Sequence, residues 1–263
     1  MEPTIQQLFD LTGKVALLTG GCGYLGSAMA AALAEAGASV VITSRSADKA
    51  QAGVAVLPRR AGAEHHGLSL DHMNPDSLDQ RFAEALKLAG RFDILVNNGT
   101  EGPPGDWTTA TAEQFNRHLA NATGYFLLAR LFRNHVVERK VPGSVVLLGS
   151  MYGSVGSYPD AYEGVCPASP VAYHALKGSI LHLTRHLAVY WASDGVRVNC
   201  LSPGPFPKAD APEEMVKRLC TKLPMKRMGL PHELKGAIVF LASDASSYMT
   251  GQNLLIDGGW TAW

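Results

Sequence analysis

The chain has 263 residues, of which 46% are hydrophobic, and its 23 basic side chains are balanced by 23 acidic ones. This length favours one α/β domain, assigned to residues 1–263, and the even charge disfavours nucleic acid and membrane surfaces as partners. The four cysteines form no C-x-x-C pair, no basic leader precedes the first motif and no apolar stretch is long enough to span a bilayer, so we predict a cytoplasmic protein that binds small molecules.

Short apolar runs alternate along the chain with segments of helical periodicity. The runs are rich in Val, Ile and Leu and predict strands at 15–19, 40–43, 93–97, 144–148, 196–201 and 253–256. The periodic segments predict helices at 24–36, 75–89, 112–139, 170–192 and 231–243. This alternation predicts a Rossmann-like α/β fold, a doubly wound parallel sheet of about seven strands with helices on both faces. In such a sheet, ligands bind beyond the carboxyl ends of the strands.

A glycine-rich turn follows the first predicted strand and leads into the first of these helices. Gly21, Gly23 and Gly26 satisfy G-x-G-x-x-G in this strand, turn and helix context, which predicts dinucleotide binding. Glycine permits the tight turn and lets backbone amides at a helix N-terminus approach a pyrophosphate. We therefore assign the whole turn to the cofactor site, namely Gly20, Gly21, Gly23, Tyr24, Leu25 and Gly26.

The end of the second strand bears on the choice of dinucleotide. NAD-preferring sites place an acid there, beside the ribose hydroxyls, but this chain has Ser44 and Arg45 and no acid before Asp48. Arg45 could pair with a 2′-phosphate as a bidentate donor, so we favour NADP(H). NAD(H) stays open, because Arg45 would also suit a solvated loop or a position over the adenine ring.

Tyr173 and Lys177 stand at positions i and i+4 of a predicted helix and therefore share one of its faces. A phenol with a pKa of about 10 is a poor acid–base catalyst near neutral pH, but a nearby ammonium lowers that pKa. The pair is thus a candidate proton donor and acceptor. The spacing alone fits a solvated helix surface at least as well.

The order of the motifs resembles that of the short-chain dehydrogenase/reductase family, in its compact single-domain branch. The resemblance covers nearly the whole chain, from residues 9–15 to 257–259. After the glycine turn come an aspartate behind the third strand, N-N-G, an asparagine in the fourth helix, a serine that ends the fifth strand, Y-x-x-x-K and N-x-x-x-P-G. These residues are Asp71, Asn97 to Gly99, Asn121, Ser150, Tyr173, Lys177 and Asn199 to Gly204.

The resemblance implies a role for each matched residue. Tyr173 would be the general acid in carbonyl reduction and the general base in alcohol oxidation, with Ser150 holding the substrate oxygen. Lys177 would bind the nicotinamide ribose and lower the tyrosine pKa, and Asn121 would position a water that relays protons to Lys177. The implied cofactor-binding residues beyond the glycine turn are Ser44, Arg45, Asp71, Asn98, Gly99, Tyr173, Lys177, Pro203 and Gly204.

The resemblance also implies a homo-oligomer, either a dimer or a tetramer. The helix that carries Tyr173 would contribute to the subunit interface. Trp260 and Trp263 are large apolar side chains near the C-terminus, so we expect another subunit to bury them.

The chain departs from the family pattern at several places. The glycine turn has the T-G-x-x-G-x-x-G spacing of the family's extended branch, the usual N-N-A-G has become N-N-G-T, and the threonine that often follows the P-G turn is missing. Residues 157–169 look like an insertion that should border the substrate. Residues 205–226 look like an amphipathic lid.

Two groups of histidines raise the question of a metal site. His182 and His186 share a helix face, but no acid accompanies them as in H-E-x-x-H, and His65, His66 and His72 lie at the third strand and the turn after it. We predict structural or surface roles for both groups and no bound metal.

The combined pattern predicts an NAD(P)(H)-dependent oxidoreductase that interconverts a ketone and a secondary alcohol by hydride transfer. A polar sugar, polyol or sugar acid is the favoured substrate, because residues 8–11 are similar to gluconate 5-dehydrogenase-like members and the insertion is polar and aromatic. A 3-oxoacyl thioester reductase is the alternative within the same chemistry. A non-catalytic, dinucleotide-binding regulatory protein is the alternative of another class, disfavoured by the intact Asn, Ser, Tyr and Lys set.

Overall fold

The computed structural model describes residues 2–102 and 105–263. Its strands are β1 Val15–Thr19, β2 Ser39–Ser44, β3 His66–Ser69, β4 Ile94–Asn97, β5 Gly143–Leu148, β6 Val196–Pro203 and β7 Asn253–Ile256. Its α-helices are α1 Ile5–Phe9, α2 Tyr24–Glu35, α3 Ala47–Ala55, α4 Pro75–Ala89, α5 Ala112–Glu138, α6 Val171–Trp191, α7 Glu213–Lys222 and α8 Lys235–Ala242. Within these residues, no helix is both long and apolar enough to cross a membrane.

All seven strands are parallel and form one sheet, in the order β3-β2-β1-β4-β5-β6-β7. Every residue of β1, β4 and β5 is buried, because helices cover both faces. Neighbouring side chains of β1 enter different clusters: Leu17 packs with α4, α5 and α6, whereas Ala16 and Leu18 pack with α2 and α8. This double burial confirms the predicted doubly wound sheet.

The strand order opens a crevice between β1 and β4. From β1 the chain continues outward through β2 and β3, then returns to the other side of β1 and continues through β4 to β7. The connections that leave β1 and β4 therefore diverge, which creates a binding crevice at their carboxyl ends. The glycine turn follows β1 and residues 98–102 follow β4, so two of the predicted motifs meet there.

The six strands predicted from apolar runs are present, with ends that differ by at most two residues. The seventh, β3, has the sequence His-Gly-Leu-Ser, pairs with β2 alone and has one buried residue, Gly67, so it carries no apolar run. Helices α1 and α3 were not predicted, because they too lack a buried apolar face: α1 buries no residue and α3 buries only Ala50. The last predicted helix begins as a 3-10 turn, Pro231–Leu234, which α8 then continues.

A third apolar cluster joins the predicted insertion, α7 and the C-terminal segment. Its buried members are Met151, Ala161, Tyr162, Leu219, Leu223 and Trp260. Trp260 is 2% exposed and packs edge-on against the rings of Tyr152 and Tyr158. The prediction that another subunit buries Trp260 is therefore wrong, because its own chain already covers it. Trp263 is exposed.

Candidate active site

Backbone atoms crowd the turn between β1 and α2. Gly20 has a φ of +64°, and a Cβ on it would lie 2.7 Å from the Cα of Gly99. A Cβ on Gly26 would lie 2.2 Å from the Gly20 carbonyl oxygen, a distance that real side chains do not adopt. Helix α2 then begins at Tyr24, and its N-cap Gly23 has no side chain to cap it. The turn thus presents helix N-terminal amides to the crevice, as anion binding requires.

Hydrogen bonds hold the glycine turn to the segment after β4. The Thr19 hydroxyl accepts from the backbone N–H groups of Asn98 and Gly99, at 3.0 and 2.9 Å. The Asn98 side-chain amide donates to the carbonyl oxygens of Thr19 and Gly20, both at 3.0 Å. The side-chain amide of Asn98 therefore fixes the shape of the crevice.

A cleft of about 570 Å³ follows the crevice and is the candidate cofactor site. Its walls are the glycine turn, the end of β2 and the segments after β3 and β4. The predicted residues in its lining are Gly20, Gly23, Tyr24, Leu25, Gly26, Ser44, Arg45, Asp71, Asn98 and Gly99. Gly21 differs, because a Cβ on it would meet Leu18 and Ile42 at 2.9 Å, so it faces the core. The tight backbone cradle and the mixed polar lining fit a dinucleotide.

The cofactor cleft also holds charged residues that no motif indicated, among them Lys49, Glu101 and Lys208. Glu101 accepts a hydrogen bond from Arg117 at 3.0 Å, and its Oε1 lies 3.9 Å from Nη1 of Arg45. The Arg45 side chain is 68% exposed, so this ion pair is weak and screened by solvent. Arg45 is therefore available to an anion bound in the cleft.

A second pocket, of about 240 Å³, adjoins the cofactor cleft. The two spaces are continuous, because they share the lining residues Leu25, Asn98 and Thr100. The predicted residues in the lining of this catalytic pocket are Ser150, Tyr173, Lys177, Pro203 and Gly204. Ser150 lies two residues beyond the end of β5, and Tyr173 and Lys177 lie one turn apart at the start of α6. The fold thus brings together residues that are well separated along the chain.

Lys177 is buried, and its ammonium group points at the backbone. Nζ donates to the Leu148 carbonyl oxygen at 2.7 Å and lies 5.5 Å from the centroid of the Tyr173 ring. Burial lowers the pKa of Lys177 to about 8, from an ordinary value of 10.5. The lysine therefore titrates close to physiological pH.

Tyr173 does not have the lowered pKa that its spacing from Lys177 predicts. Burial raises the pKa of its phenol, and a hydrogen bond with the Ser150 hydroxyl offsets part of that rise. Lys177 does not lower it in this arrangement, because its ammonium is directed at Leu148 instead of the phenol oxygen. Both Ser150 and Tyr173 line the catalytic pocket.

Asn121 is fully buried, and its side-chain amide is satisfied within the protein. Oδ1 accepts from the backbone N–H of Glu101 at 3.0 Å and from Nε2 of His72 at 3.1 Å, while Nδ2 donates to the His118 carbonyl oxygen at 2.7 Å. These partners fix the orientation of the amide and require the His72 proton on Nε2. Asn121 thus ties the segment after β4 to α5, and its water relay to Lys177 stays a prediction.

His118 lies one helical turn before Asn121 and beside Tyr173. The two ring centroids are 6.2 Å apart, and His118 is only 2% exposed. Within the described part of the chain, neither of its ring nitrogens has a hydrogen-bond partner. Burial lowers the pKa of His118, so the imidazole is neutral near pH 7. No motif marks this residue, and only the packing of α5 against α6 brings it to the site.

The predicted insertion at 157–169 packs beside the catalytic pocket without contributing to its lining. The Tyr162 hydroxyl meets that of Tyr152 at 2.9 Å, and Ser169 bonds His174, whose ring stacks on Tyr152. Helix α7, within the predicted lid, is held to the insertion by hydrogen bonds from Arg218 to backbone carbonyl groups. Phe206, also in the lid range, does line the pocket. Roles in substrate binding for both segments stay predictions.

The histidines outside the site have structural surroundings. His65 accepts from the Val40 backbone N–H at 3.1 Å and bonds the Pro58 carbonyl oxygen at 3.0 Å, while the His186 ring packs on Tyr190. Across residues 2–102 and 105–263, no three His, Cys, Asp or Glu side chains are grouped as a metal site would need.

Known proteins resemble the chain over nearly its whole length. A family model described as enoyl-(acyl carrier protein) reductase matches residues 24–261. A sorbose reductase of Candida albicans is 34% identical, over 99% of this chain and 92% of that protein. A galactitol 2-dehydrogenase of Rhizobium johnstonii is 36% identical, over 98% of this chain and 99% of that protein.

Solved structures share the fold to the same extent. A short-chain type dehydrogenase/reductase from Mycobacterium marinum has a TM-score of 0.86 and 32% identity, covering 99% of this chain and 100% of its own. A gluconate 5-dehydrogenase from Burkholderia cenocepacia, solved with NADP and tartrate, has a TM-score of 0.86 and 28% identity, with the same coverage. Similarity of this extent spans both the cofactor cleft and the catalytic pocket.

Proposed function

Because the chain belongs to the short-chain dehydrogenase/reductase family, we propose that it is an NADP(H)-preferring enzyme that interconverts a ketone and a secondary alcohol of a sugar, polyol or sugar acid. One observation carries the proposal. Ser150, Tyr173 and Lys177 line a pocket that is continuous with a cleft built on a glycine turn. Tyr173, the proposed proton donor, would then lie beside the proposed dinucleotide site.

The bound dinucleotide would supply the hydride chemistry, and the protein would supply binding and proton transfer. The Tyr173 hydroxyl would give its proton to the carbonyl oxygen during reduction and take one from the alcohol during oxidation. Ser150 would donate a hydrogen bond to the same oxygen, where charge develops. Lys177 would bind the ribose hydroxyls near Tyr173, and its ammonium would stabilise the tyrosine anion once turned from Leu148.

The proposed cofactor preference is supported by the charges at the cofactor cleft. Arg45 and Lys49 both line it, and the end of β2 offers no carboxylate to repel a 2′-phosphate. The Burkholderia cenocepacia neighbour contains NADP, and an NADP-dependent mannitol dehydrogenase of Alternaria alternata is 33% identical. NAD(H) remains the alternative, since Glu101 lies close to Arg45.

The proposed substrate class is supported by the printed activities of the relatives. These are named for sorbose, galactitol, glucose, mannitol and D-arabinitol. A 3-oxoacyl thioester is less favoured, although the matching family model is described by an acyl carrier protein reaction. A cytoplasmic location is part of the same proposal, supported by the four cysteines, which are all free thiols.

The proposal is tested by measuring turnover of the purified protein with NADP⁺ and NAD⁺ on hexitols, pentitols and sugar acids. Reduction of the matching ketoses and of acetoacetyl thioesters is measured with NADPH and NADH. We expect the highest kcat/KM for a polyol or ketose with NADP(H). Higher kcat/KM for the thioester would favour the alternative enzyme. Tight dinucleotide binding without turnover of any substrate would favour a regulatory protein.

A further inference from the structure

A separate cavity of about 180 Å³ lies at the amino end of α5, and neither the motifs nor the family roles account for it. Its lining residues are Glu101, Gly102, Gln114, Arg117 and His118. We call this space the α5 cavity. Its volume corresponds to about six water molecules, which is room for part of a small polar molecule but not for a nucleotide.

The α5 cavity lies beside the reaction site. Glu101 lines both this cavity and the cofactor cleft, and it directly follows Thr100, which lines the catalytic pocket. On the other side, the ring of His118 is 6.2 Å from that of Tyr173, centroid to centroid. His118 thus packs against the Tyr173 ring and also lines the cavity.

His118 differs from the other polar groups discussed around the cavity, because its ring nitrogens make no hydrogen bond within the described residues. Glu101 is paired with Arg117, and the nearby Asn121 amide has partners for both its oxygen and its nitrogen. Both ring nitrogens of His118 are buried with no partner in the described part of the chain. Leaving such a buried polar group without a hydrogen bond destabilises the protein. A residue that borders a polar cavity can recover this cost when a ligand fills the cavity.

We propose that the α5 cavity binds hydroxyl groups of the substrate that are remote from the reacting carbon, and that His118 is the residue that selects for them. A neutral imidazole offers one donor and one acceptor, which is the complement of an alcohol group. A change of the His118 side-chain rotamer would present a ring nitrogen to the cavity. Glu101 and Arg117 together carry no net charge, so the cavity suits hydroxyl groups better than a carboxylate. This inference rests on the proposed function.

The test combines variants of His118 with substrates that lack one hydroxyl. His118→Leu keeps the volume of the side chain but removes both hydrogen-bonding nitrogens, and His118→Gln keeps a donor and an acceptor. The control is His232→Leu, since His232 is exposed and lines neither the cleft nor the pockets around Tyr173. The substrates are the hexitol that the wild type oxidises best and its deoxy analogues at each carbon that does not react. Cofactor binding, measured by fluorescence, verifies that each variant folds.

We expect His118→Leu to lower kcat/KM for the hexitol by about tenfold, the size of one hydrogen bond lost from a binding site. For the wild type, kcat/KM should be lower by a similar factor for one deoxy analogue than for the hexitol. For His118→Leu, the kcat/KM values for that analogue and for the hexitol should differ less than twofold, because the hydrogen bond is already lost. His118→Gln should change the ranking of the deoxy analogues, which keeps the test decisive if His118→Leu does not fold.

Equal losses on every substrate would contradict this assignment, because they would mean that His118 acts on Tyr173 and not on the substrate. Unchanged kcat/KM for the hexitol in His118→Leu would also overturn it, while leaving the proposed function intact. A wild type that turns over thioesters but no polyol or sugar would overturn the proposed function, and the subsite with it.

Discussion

Lys177 is the residue whose burial has the clearest energetic consequence. Its side chain is 4% exposed, and burial lowers its pKa to about 8. The unfolded chain holds the lysine proton up to a pH of about 10.5, whereas the folded chain loses it near pH 8. Below pH 8 the buried charge therefore destabilises the fold, and this destabilisation disappears as the pH rises from about 8 to about 10.5.

We accordingly predict that Lys177→Met abolishes turnover but stabilises the protein. At pH 7 the free energy of unfolding should rise by about 2 kcal/mol, after allowance for the lost hydrogen bond to Leu148. The gain should shrink towards zero at pH 10. Urea unfolding of both proteins at the two pH values measures this. A variant less stable than the wild type at pH 7 would show that Lys177 is not a buried cation.

Arg45 offers a second prediction, on cofactor choice. Arg45→Asp removes a cation that lines the cleft and places a carboxylate at the end of β2, beside the expected position of the ribose. The ratio of kcat/KM for NADP⁺ to that for NAD⁺ should fall by at least about tenfold. Arg60→Asp, in an exposed loop outside the cofactor cleft, should leave the ratio unchanged. An unchanged ratio in Arg45→Asp would contradict a role for Arg45 in binding the 2′-phosphate of NADP(H).

Sequence reasoning worked best for residues with a local signal. The glycine turn is contiguous, so its own pattern predicted it, whereas the spacing of Tyr173 and Lys177 indicated only a shared helix face and the family resemblance marked the two residues as catalytic. Glu101, His72 and His118 have no such signal, because each reaches the site through contacts with residues far along the chain. The same limit applies to the tyrosine pKa, which depends on burial and on where the Lys177 ammonium points.

The turn between β1 and α2 leaves no room for an added side chain at its close-packed glycines. Gly26→Ala would place a Cβ 2.2 Å from the Gly20 carbonyl oxygen and 2.8 Å from Nδ2 of Asn98. We expect the turn to open, with weaker dinucleotide binding by at least about tenfold and a loss of about 2 kcal/mol in stability.

The matched control for this turn is Gly236→Ala in α8. A Cβ there meets nothing within 4 Å, so the substitution should stabilise the helix by about 0.5–1 kcal/mol and leave dinucleotide binding unchanged. Thermal unfolding and cofactor titration of the two variants provide the comparison. Equal behaviour of Gly26→Ala and Gly236→Ala would show that the turn is not close-packed.

Elements were predictable from the sequence in proportion to how much of them is buried. Strands β1, β4 and β5 are buried along their whole length, and long helices such as α5 and α6 have apolar stripes. Strand β3, at the edge of the sheet, is held by its pairing with β2. The exposed helices α1 and α3 are stabilised by side chains that cap their amino ends. Ser46, for example, caps α3 by accepting from the Lys49 backbone N–H.

At the scale of the whole molecule, α6 has an uncovered apolar end. Val189 and Tyr190 are 77% and 67% exposed, on the same helix as Tyr173. We predict that this surface contributes to a dimer or tetramer, as the family resemblance implies. The interface would then be continuous with the helix that holds the catalytic residues.

Sedimentation velocity tests this assembly. The wild type should sediment as a dimer or tetramer, and Val189→Asp should shift it to a smaller species, because a carboxylate in an apolar interface is strongly unfavourable. Val56→Asp replaces a valine of similar exposure, 79%, at the end of α3 and should change nothing. A monomeric wild type would contradict the prediction.

In the proposed reaction, Tyr173 transfers the proton between the protein and a polyol or ketose, with NADP(H) as the cofactor. The most direct measurement is the steady-state rate of Tyr173→Phe with NADPH and the best ketose, beside the wild type and the control Tyr248→Phe, which lies in a fully exposed turn. We predict that Tyr173→Phe binds NADPH normally but loses at least about a hundredfold in kcat, while Tyr248→Phe keeps full activity. A near-normal kcat in Tyr173→Phe would contradict proton transfer by Tyr173.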